Sequence, residues 1–238
     1  MYEAVAATPA GESTVRRFAA TAGRRGFDGL VVRNADDADP GFDAADVREA
    51  YDVDAVDAVE LVADDPTTLS GGLTEARREH TLLLVRGGTA KLNRFAAEEE
   101  RVDVLTKPMA GRGDVNHVIV RAAVDHGVRV EFDFAPVLRE SGGPRVQALR
   151  GLRKLRELVE QYDAPYVVTG TPESHLELRA PRELKAVGET IGFDAEQVER
   201  GLAEWGELAA RNRHRFSEDF IAPGLERGRY DEGRRGPR

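Results

Sequence analysis

Val102-Asp103-Val104-Leu105-Thr106-Lys107-Pro108-Met109-Ala110-Gly111-Arg112-Gly113-Asp114-Val115-Asn116-His117-Val118-Ile119-Val120-Arg121 decides the fold. It opens as a short apolar run, breaks at Pro108 and the glycines around Arg112, and resumes with helical spacing. At about 100° per residue, Val115, Val118, Ile119 and Ala122 form one stripe, while Asp114, His117 and Arg121 project from the other side. Arg112 sits between two glycines after a strand, where the backbone comes close to an anion and where α/β proteins gather ligand groups.

The same strand-then-helix unit repeats along the chain. Strands are expected at Tyr2–Ala7, Gly29–Arg33, Val56–Ala63, Leu82–Arg86, Val102–Thr106, Val128–Asp133 and Tyr166–Thr169. Helices are expected at Glu12–Arg25, Asp43–Tyr51, Pro66–Glu79, Ala90–Glu100, Asp114–His126 and Pro144–Tyr162. Regular alternation with short polar connections predicts a parallel sheet covered by helices, and about seven strands predict a β/α barrel. Pro181 opens a further helix carrying Leu184, Val187 and Ile191 on one face. Asp194 with Gln197 caps another, whose stripe runs through Val198, Leu202, Trp205, Ala209 and Phe216 and packs a terminal helix onto the barrel. Residues 1–222 are thus expected to form a single barrel domain. Residues 223–238, rich in Arg and Gly, carry too little apolar content to pack and are expected to be disordered.

The 238 residues hold no cysteine, which removes disulfides, thiolate nucleophiles and cysteine-ligated zinc. No stretch approaches the roughly 18 apolar residues of a membrane span, and the N-terminus lacks a basic segment followed by an apolar one. A soluble, cytoplasmic protein is expected. The net charge of −9 argues at first against a nucleic-acid partner. Of 34 basic residues, however, only Lys91, Lys107, Lys154 and Lys185 are lysine, leaving 30 arginines. An acidic, lysine-poor surface suits concentrated salt, where charges are screened over about 3 Å at 1 M. There only close, geometrically defined contacts persist, and arginine's planar fork makes them well. The overall sign therefore leaves RNA open as a partner.

Two further basic segments stand out. Arg145 to Arg156 holds five basic residues and no acid, with Leu149, Leu152, Leu155 and Val159 on one side of a helix and Arg150, Arg153 and Lys154 on the other. An amphipathic barrel helix accounts for this, and so does a partner surface. Arg179 and Arg182 flank Pro181 at a helix start, where guanidinium groups oppose the helix dipole unless they serve an anion or a carboxylate. A small phosphorylated substrate held there would make the chain a metabolic barrel enzyme. Catalytic motifs are mostly missing. The first strand reads Tyr2-Glu3-Ala4-Val5-Ala6 without a His-x-His pair, and His80, His117, His126, His175 and His214 are scattered. Glu131 and Asp133 alternate to one face at a strand end; with His117 they are the donors an independent metal-dependent phosphoesterase would use. Arg86-Gly87-Gly88-Thr89-Ala90-Lys91 falls short of a phosphate loop.

Val102-Asp103-Val104-Leu105, Pro108, Arg112-Gly113-Asp114, Asn116-His117-Val118, Val128-Arg129-Val130-Glu131-Phe132, Pro165-Tyr166-Val167-Val168-Thr169-Gly170 and Leu178-Arg179-Ala180-Pro181-Arg182-Glu183-Leu184, in this order and spacing, resemble the archaeal ribonuclease P protein component 3 (Rpp30) family from about Tyr2 to about Phe220. The resemblance implies a barrel related to the PHP metallophosphoesterases that serves as a noncatalytic subunit of ribonuclease P, which removes the 5′ leader from precursor tRNA. It implies that the RNA subunit is the catalyst and requires magnesium, that the protein binds no cofactor of its own, and that it pairs with a Pop5 homologue and other protein subunits. It also carries over Arg112, His117, Arg121, Arg179 and Arg182 as RNA-binding residues, with Asp114 supporting them.

Overall fold

The computed structural model describes residues 1–35, 38–111, 113–215, 220–222 and 225–226. Its centre is a seven-stranded parallel sheet: β1 (Tyr2–Val5), β2 (Gly29–Ala35), β3 (Asp54–Leu61), β4 (Leu82–Arg86), β5 (Val104–Thr106), β6 (Arg129–Asp133) and β7 (Tyr166–Thr169), paired in chain order. The helices between them are α1 (Val15–Arg25), α2 (Ala44–Tyr51), α3 (Pro66–Glu79), α4 (Ala90–Glu98), α5 (His117–His126), and α6 (Ala135–Arg139) with α7 (Gly142–Gln161). After β7 come α8 (Pro181–Ile191) and α9 (Ala195–Arg215), and Phe220–Ala222 (β8) pairs antiparallel with Leu225–Glu226 (β9). The elements follow their local chemistry. Thr14, Asp43, Asp65, Thr89 and Asn116 each accept backbone N–H bonds at a helix start. Gly26, Gly127 and Gly192 close helices in the left-handed conformation.

The strands curl into a nearly closed barrel. Between β7 and β1 there is no ladder; side chains and loops bridge the seam. Thr169 Oγ1 donates to the Ala4 carbonyl (3.2 Å) and to the Glu3 carboxylate, Gly170 N donates to Glu3 Oε1 (3.0 Å), and Ala6 N donates to the Pro172 carbonyl (3.1 Å). Two cores result. The outer one lies between strands and helices, through residues such as Phe18, Leu30, Leu83, Leu105, Phe132 and Leu155. The inner one fills the barrel with Ala4, Val31, Val56, Ala58, Leu82, Leu84, Val104 and Val167, joined by Trp205, Leu208 and Ala209 of α9.

Helix α9 therefore floors the barrel. Its contacts fall at strand starts: Arg129 with Glu204, Arg211 and Asn212 with Asp103, Asn212 with the Thr81 carbonyl, and Arg213 with Asp54. The apolar stripe expected at Val198, Leu202, Trp205 and Ala209 is buried, with Leu208 added to it; Phe216 lies outside the described residues. The tail assigned to 223–238 falls almost wholly outside them too.

Several boundaries differ from the sequence reading by two or three residues, and α5 to α7 differ most. Helix α5 starts at His117 rather than Asp114, because the Asn116 side chain takes the amides of Val118 and Ile119 and fixes the cap there. Its buried stripe is Ile119, Val120 and Ala123, while Val118 is turned outward with His117 and Arg121. Helix α7 begins two residues early, at Gly142, after a short α6 that the periodicity did not reveal.

Glu3 carries a pH signature. It is fully buried, its Oε2 has no hydrogen-bond partner, and burial pushes its carboxyl up to about 7 against the bonds from Thr169 and Gly170. The folded chain then holds a proton that the unfolded chain has released. Stability falls as pH rises from about 4.5 to about 7, by up to about 1.4 kcal/mol per unit from this group. Glu3→Gln should flatten that slope in urea titrations at pH 5, 6 and 7; an unaltered slope would show that Glu3 does not set it.

Candidate nucleic-acid interface and the barrel mouth

Residues two apart on a strand share a face, so every inner-core side chain near the floor predicts what faces inward at the opposite end. Val31 leads to Arg33, Ala58 to Glu60, Leu84 to Arg86, Val104 to Thr106 and Val167 to Thr169; β6 contributes Glu131 and Asp133. The barrel is thus apolar below and polar at its C-terminal mouth, the end where α/β barrels place their sites.

Arg33 sits at the centre of that mouth. Its Nη2 meets Glu60 Oε1 at 2.5 Å and its Nη1 meets Glu131 Oε1, and all three residues are buried. Arg86 Nη2 donates to Glu60 Oε2 (2.6 Å), and Thr106 Oγ1 donates to Oε1. Glu131 Oε2 accepts the Lys107 amide (2.8 Å). Asp133 Oδ1 accepts Thr171 Oγ1 (2.5 Å) and the Ala135 amide (2.9 Å). Burial alone would raise Glu60, but Arg33 and Arg86 overcome it and bring the carboxyl down to about 2. Burial, with Asp133 and Glu60 close by, holds Glu131 above its ordinary value despite Arg33. Lys107 and Thr171, both held by these carboxylates, have φ of 46° and 41°, left-handed conformations that side chains beyond glycine seldom adopt.

This arrangement does not fit a catalytic metal. The oxygens of Glu60 and Glu131 that a divalent ion would need are taken by Arg33, Arg86, Thr106 and the Lys107 amide. Among the described residues no group of three His, Cys, Asp or Glu side chains is placed to hold a metal. His117 stands exposed on the flank helix α5, so the set Glu131, Asp133 and His117 is not brought together.

The loop from β5 to α5 is clamped from the neighbouring unit. Asn93, buried on α4, donates to the Pro108 carbonyl (2.8 Å) and accepts the Gly88 amide (3.1 Å). A Cβ at Gly113 would collide with the Pro108 carbonyl and approach the Ala110 carbonyl to 2.8 Å, so only glycine fits the coil. Arg112 itself lies outside the described residues. Asp114 is exposed and pairs with Lys154 of α7.

The remaining RNA-contact candidates fall into two separate places. His117 and Arg121 share a shallow groove of about 570 Å³ with Glu98, Val118, Asp125 and His126, between α4 and α5. Arg179 and Arg182 lie beyond α7, in the segment between β7 and α8 and in the first turn of α8. Arg179 donates to the carbonyls of Leu176 (3.3 Å) and Glu177 (3.1 Å), so it folds its own loop. Arg182 is exposed and, among the described residues, has no carboxylate partner. The Glu183 carboxylate beside it caps the Ala180 amide (2.7 Å) and pairs with Arg25. Sequence reading missed Arg33, Glu60, Arg86 and Thr106; inward parity with an apolar residue two positions earlier was the available signal.

The model of the RNase P subunit p30 family matches residues 1–217. The ribonuclease P protein component 3 of Halobacterium salinarum is 59% identical over 234 residues, covering 98% of this chain and 99% of that protein. Among solved structures, a chain from the cryo-EM structure of an archaeal ribonuclease P with mature tRNA superposes with a TM-score of 0.81 at 20% identity, covering 98% of this chain and 100% of the other. A histidinol phosphate phosphatase of Lactococcus lactis, solved with zinc, L-histidinol and phosphate, reaches 0.51 at 10% identity, over 81% and 93%, which is a likeness of fold alone. With one family model spanning nearly its whole length and a relative of that identity, the chain belongs to the RNase P subunit p30 family.

Proposed function

We propose that this chain is a protein subunit of ribonuclease P that supports the RNA in removing the 5′ leader of precursor tRNA. The family match over residues 1–217 carries the reading. The mouth of the barrel agrees with it, since Arg33 occupies the acids that a phosphoesterase would turn to a metal. In this reading the RNA subunit performs the cleavage with magnesium, and the protein contributes phosphate contacts that position rather than read sequence. Arg112, His117, Arg121, Arg179 and Arg182 are the proposed contacts, and a Pop5 homologue with other subunits covers further faces. No helix among the described residues is long and apolar enough to cross a membrane.

Arg182 gives the cleanest test, because its side chain is exposed and unpaired among the described residues. Arg182→Ala should lower precursor-tRNA cleavage by the reconstituted holoenzyme roughly tenfold at limiting subunit, the loss of one charge-assisted contact of about 1.5 kcal/mol. The thermal midpoint should stay within about 2 °C, as for other surface changes. Full activity in both Arg182→Ala and Arg112→Ala would remove these two arginines from the RNA interface. Absence of RNA and of sister subunits from a pull-down in native extract would remove the reading itself.

A further inference from the structure

A cavity of about 760 Å³ opens beside the mouth, between the loop from β5 to α5 and helices α6 and α7. Its lining is divided by chemistry. Met109, Pro136, Ala148 and Leu152 make an apolar wall, Lys107 and Arg150 stand on it as cations, and Glu131, Asp133 and Glu140 lie on it as acids. The other basic groups on it are engaged: Lys154 with Asp114, and Arg139 with Glu177 and the carbonyls of Gly170 and Thr171. Lys107 and Arg150 are not: among the described residues neither side chain has a partner. Lys107 cannot swing away with its loop, because its left-handed backbone is tied by its amide to Glu131.

Asp133 is the second, independent observation. Only 9% of it is exposed, and both hydrogen bonds it accepts end on Oδ1. Oδ2 has no partner among the described residues, yet it is absent from the buried unsatisfied atoms, so it is open to the cavity. A phosphate alone would be repelled by that oxygen. A ligand that carries a hydrogen-bond donor on a flat apolar body and an anion alongside satisfies the acid, the wall and the cations together. The volume lies within the range of small-ligand sites.

We propose that this cavity takes one unpaired nucleotide of the bound RNA. The base enters against Met109, Ala148 and Leu152 and donates an amino or imino hydrogen to Asp133, while the flanking phosphates meet Lys107 and Arg150. Unpaired bases splayed into protein pockets are the usual means by which RNA is recognised beyond its backbone. The inference rests on the subunit reading above and adds to it a site that distinguishes single strands from duplex.

The test uses the full chain with two fluorescent oligoribonucleotides at fixed salt, a mixed-sequence single strand and the same strand fully paired. Gly151 lines the cavity, and a Cβ there makes only ordinary contact with Met109 at 3.5 Å, so Gly151→Phe fills the space without changing charge. It should weaken single-strand binding about tenfold and leave the duplex unchanged, since a lost base contact costs that order. Asp133→Asn keeps the acceptor used by Thr171 and Ala135 and turns Oδ2 into a donor; it too should weaken the single strand. Arg150→Glu should weaken both forms and flatten their salt dependence. Tighter single-strand binding by Asp133→Asn would mean that the cavity holds a bare phosphate, and unchanged binding by Gly151→Phe would mean that nothing enters; either overturns the proposal. No measurable binding of either oligonucleotide overturns it as well. Should Gly151→Phe unfold the chain, Asp133→Asn carries the decision. Neither result touches the subunit reading, which stands or falls on holoenzyme cleavage and the pull-down.

Discussion

Arg33→Met destabilises the chain by about 4 kcal/mol at pH 7, because removing one member of a buried ion cluster leaves the others uncompensated. Glu131, 1% exposed, is left without a cation, and Glu60, 3% exposed, keeps only Arg86. The pH profile steepens with the substitution. In the unaltered chain Glu60 is held at about 2, below its unfolded value, so its contribution is fully present above about 4.5 and is lost as pH falls toward 2. Without Arg33, burial lifts Glu131 further above its unfolded value and Glu60 rises from its low one with Arg86 still beside it; the variant should then gain more stability on acidification from pH 7 to 5 than the unaltered chain does. Arg33→Lys should rescue poorly, since one ammonium cannot reproduce the fork that reaches Glu60 with Nη2 and Glu131 with Nη1. Adding Glu60→Gln and Glu131→Gln to Arg33→Met should restore much of the loss. Urea midpoints between pH 5 and 8 check all of this, and a variant profile parallel to the unaltered one would refute the account.

Trp205→Ala is the other large loss, about 3–5 kcal/mol by the usual cost of truncating a fully buried aromatic. Trp205 is 0% exposed, belongs to the inner core, and donates its indole N–H to the Val168 carbonyl at 2.9 Å. Alanine leaves a void under the barrel and an unmet carbonyl on β7 beside the unpaired seam. The thermal midpoint should drop roughly 10 °C for a chain of this size. Trp205→Phe, which keeps most of the volume, should lose less than half as much. As Trp205 is the single tryptophan, circular dichroism rather than fluorescence follows the unfolding. A drop under about 2 °C would mean that α9 does not brace the interior.

The architecture was largely legible because its signals are local. Seven apolar strand runs separated by capped helices specify a parallel barrel, and each expected strand lies on an observed one. Boundaries slipped where a side chain rather than periodicity sets them, as Asn116 does for α5. The short α6 has one turn and no repeat to read. The site was less legible. Arg33, Glu60 and Arg86 are isolated charges on separate strands, and their meeting depends on barrel closure across β2, β3, β4 and β6. His117 and Arg121 line one groove while Arg179 turns into its own loop before an exposed Arg182, and the stretch of barrel that parts the two places was invisible in the linear order.

Helix α9 has a consequence for synthesis. The floor of the barrel comes from the stretch Ala195–Arg215, after every strand of the seven has been made. Until that stretch clears the ribosome, Ala4, Val31, Leu82 and their neighbours lack the cover that Trp205, Leu208 and Ala209 give them. Nascent chains halted upstream of Trp205 therefore do not yield a smaller stable barrel, and the interval before release is when this protein most needs a chaperone.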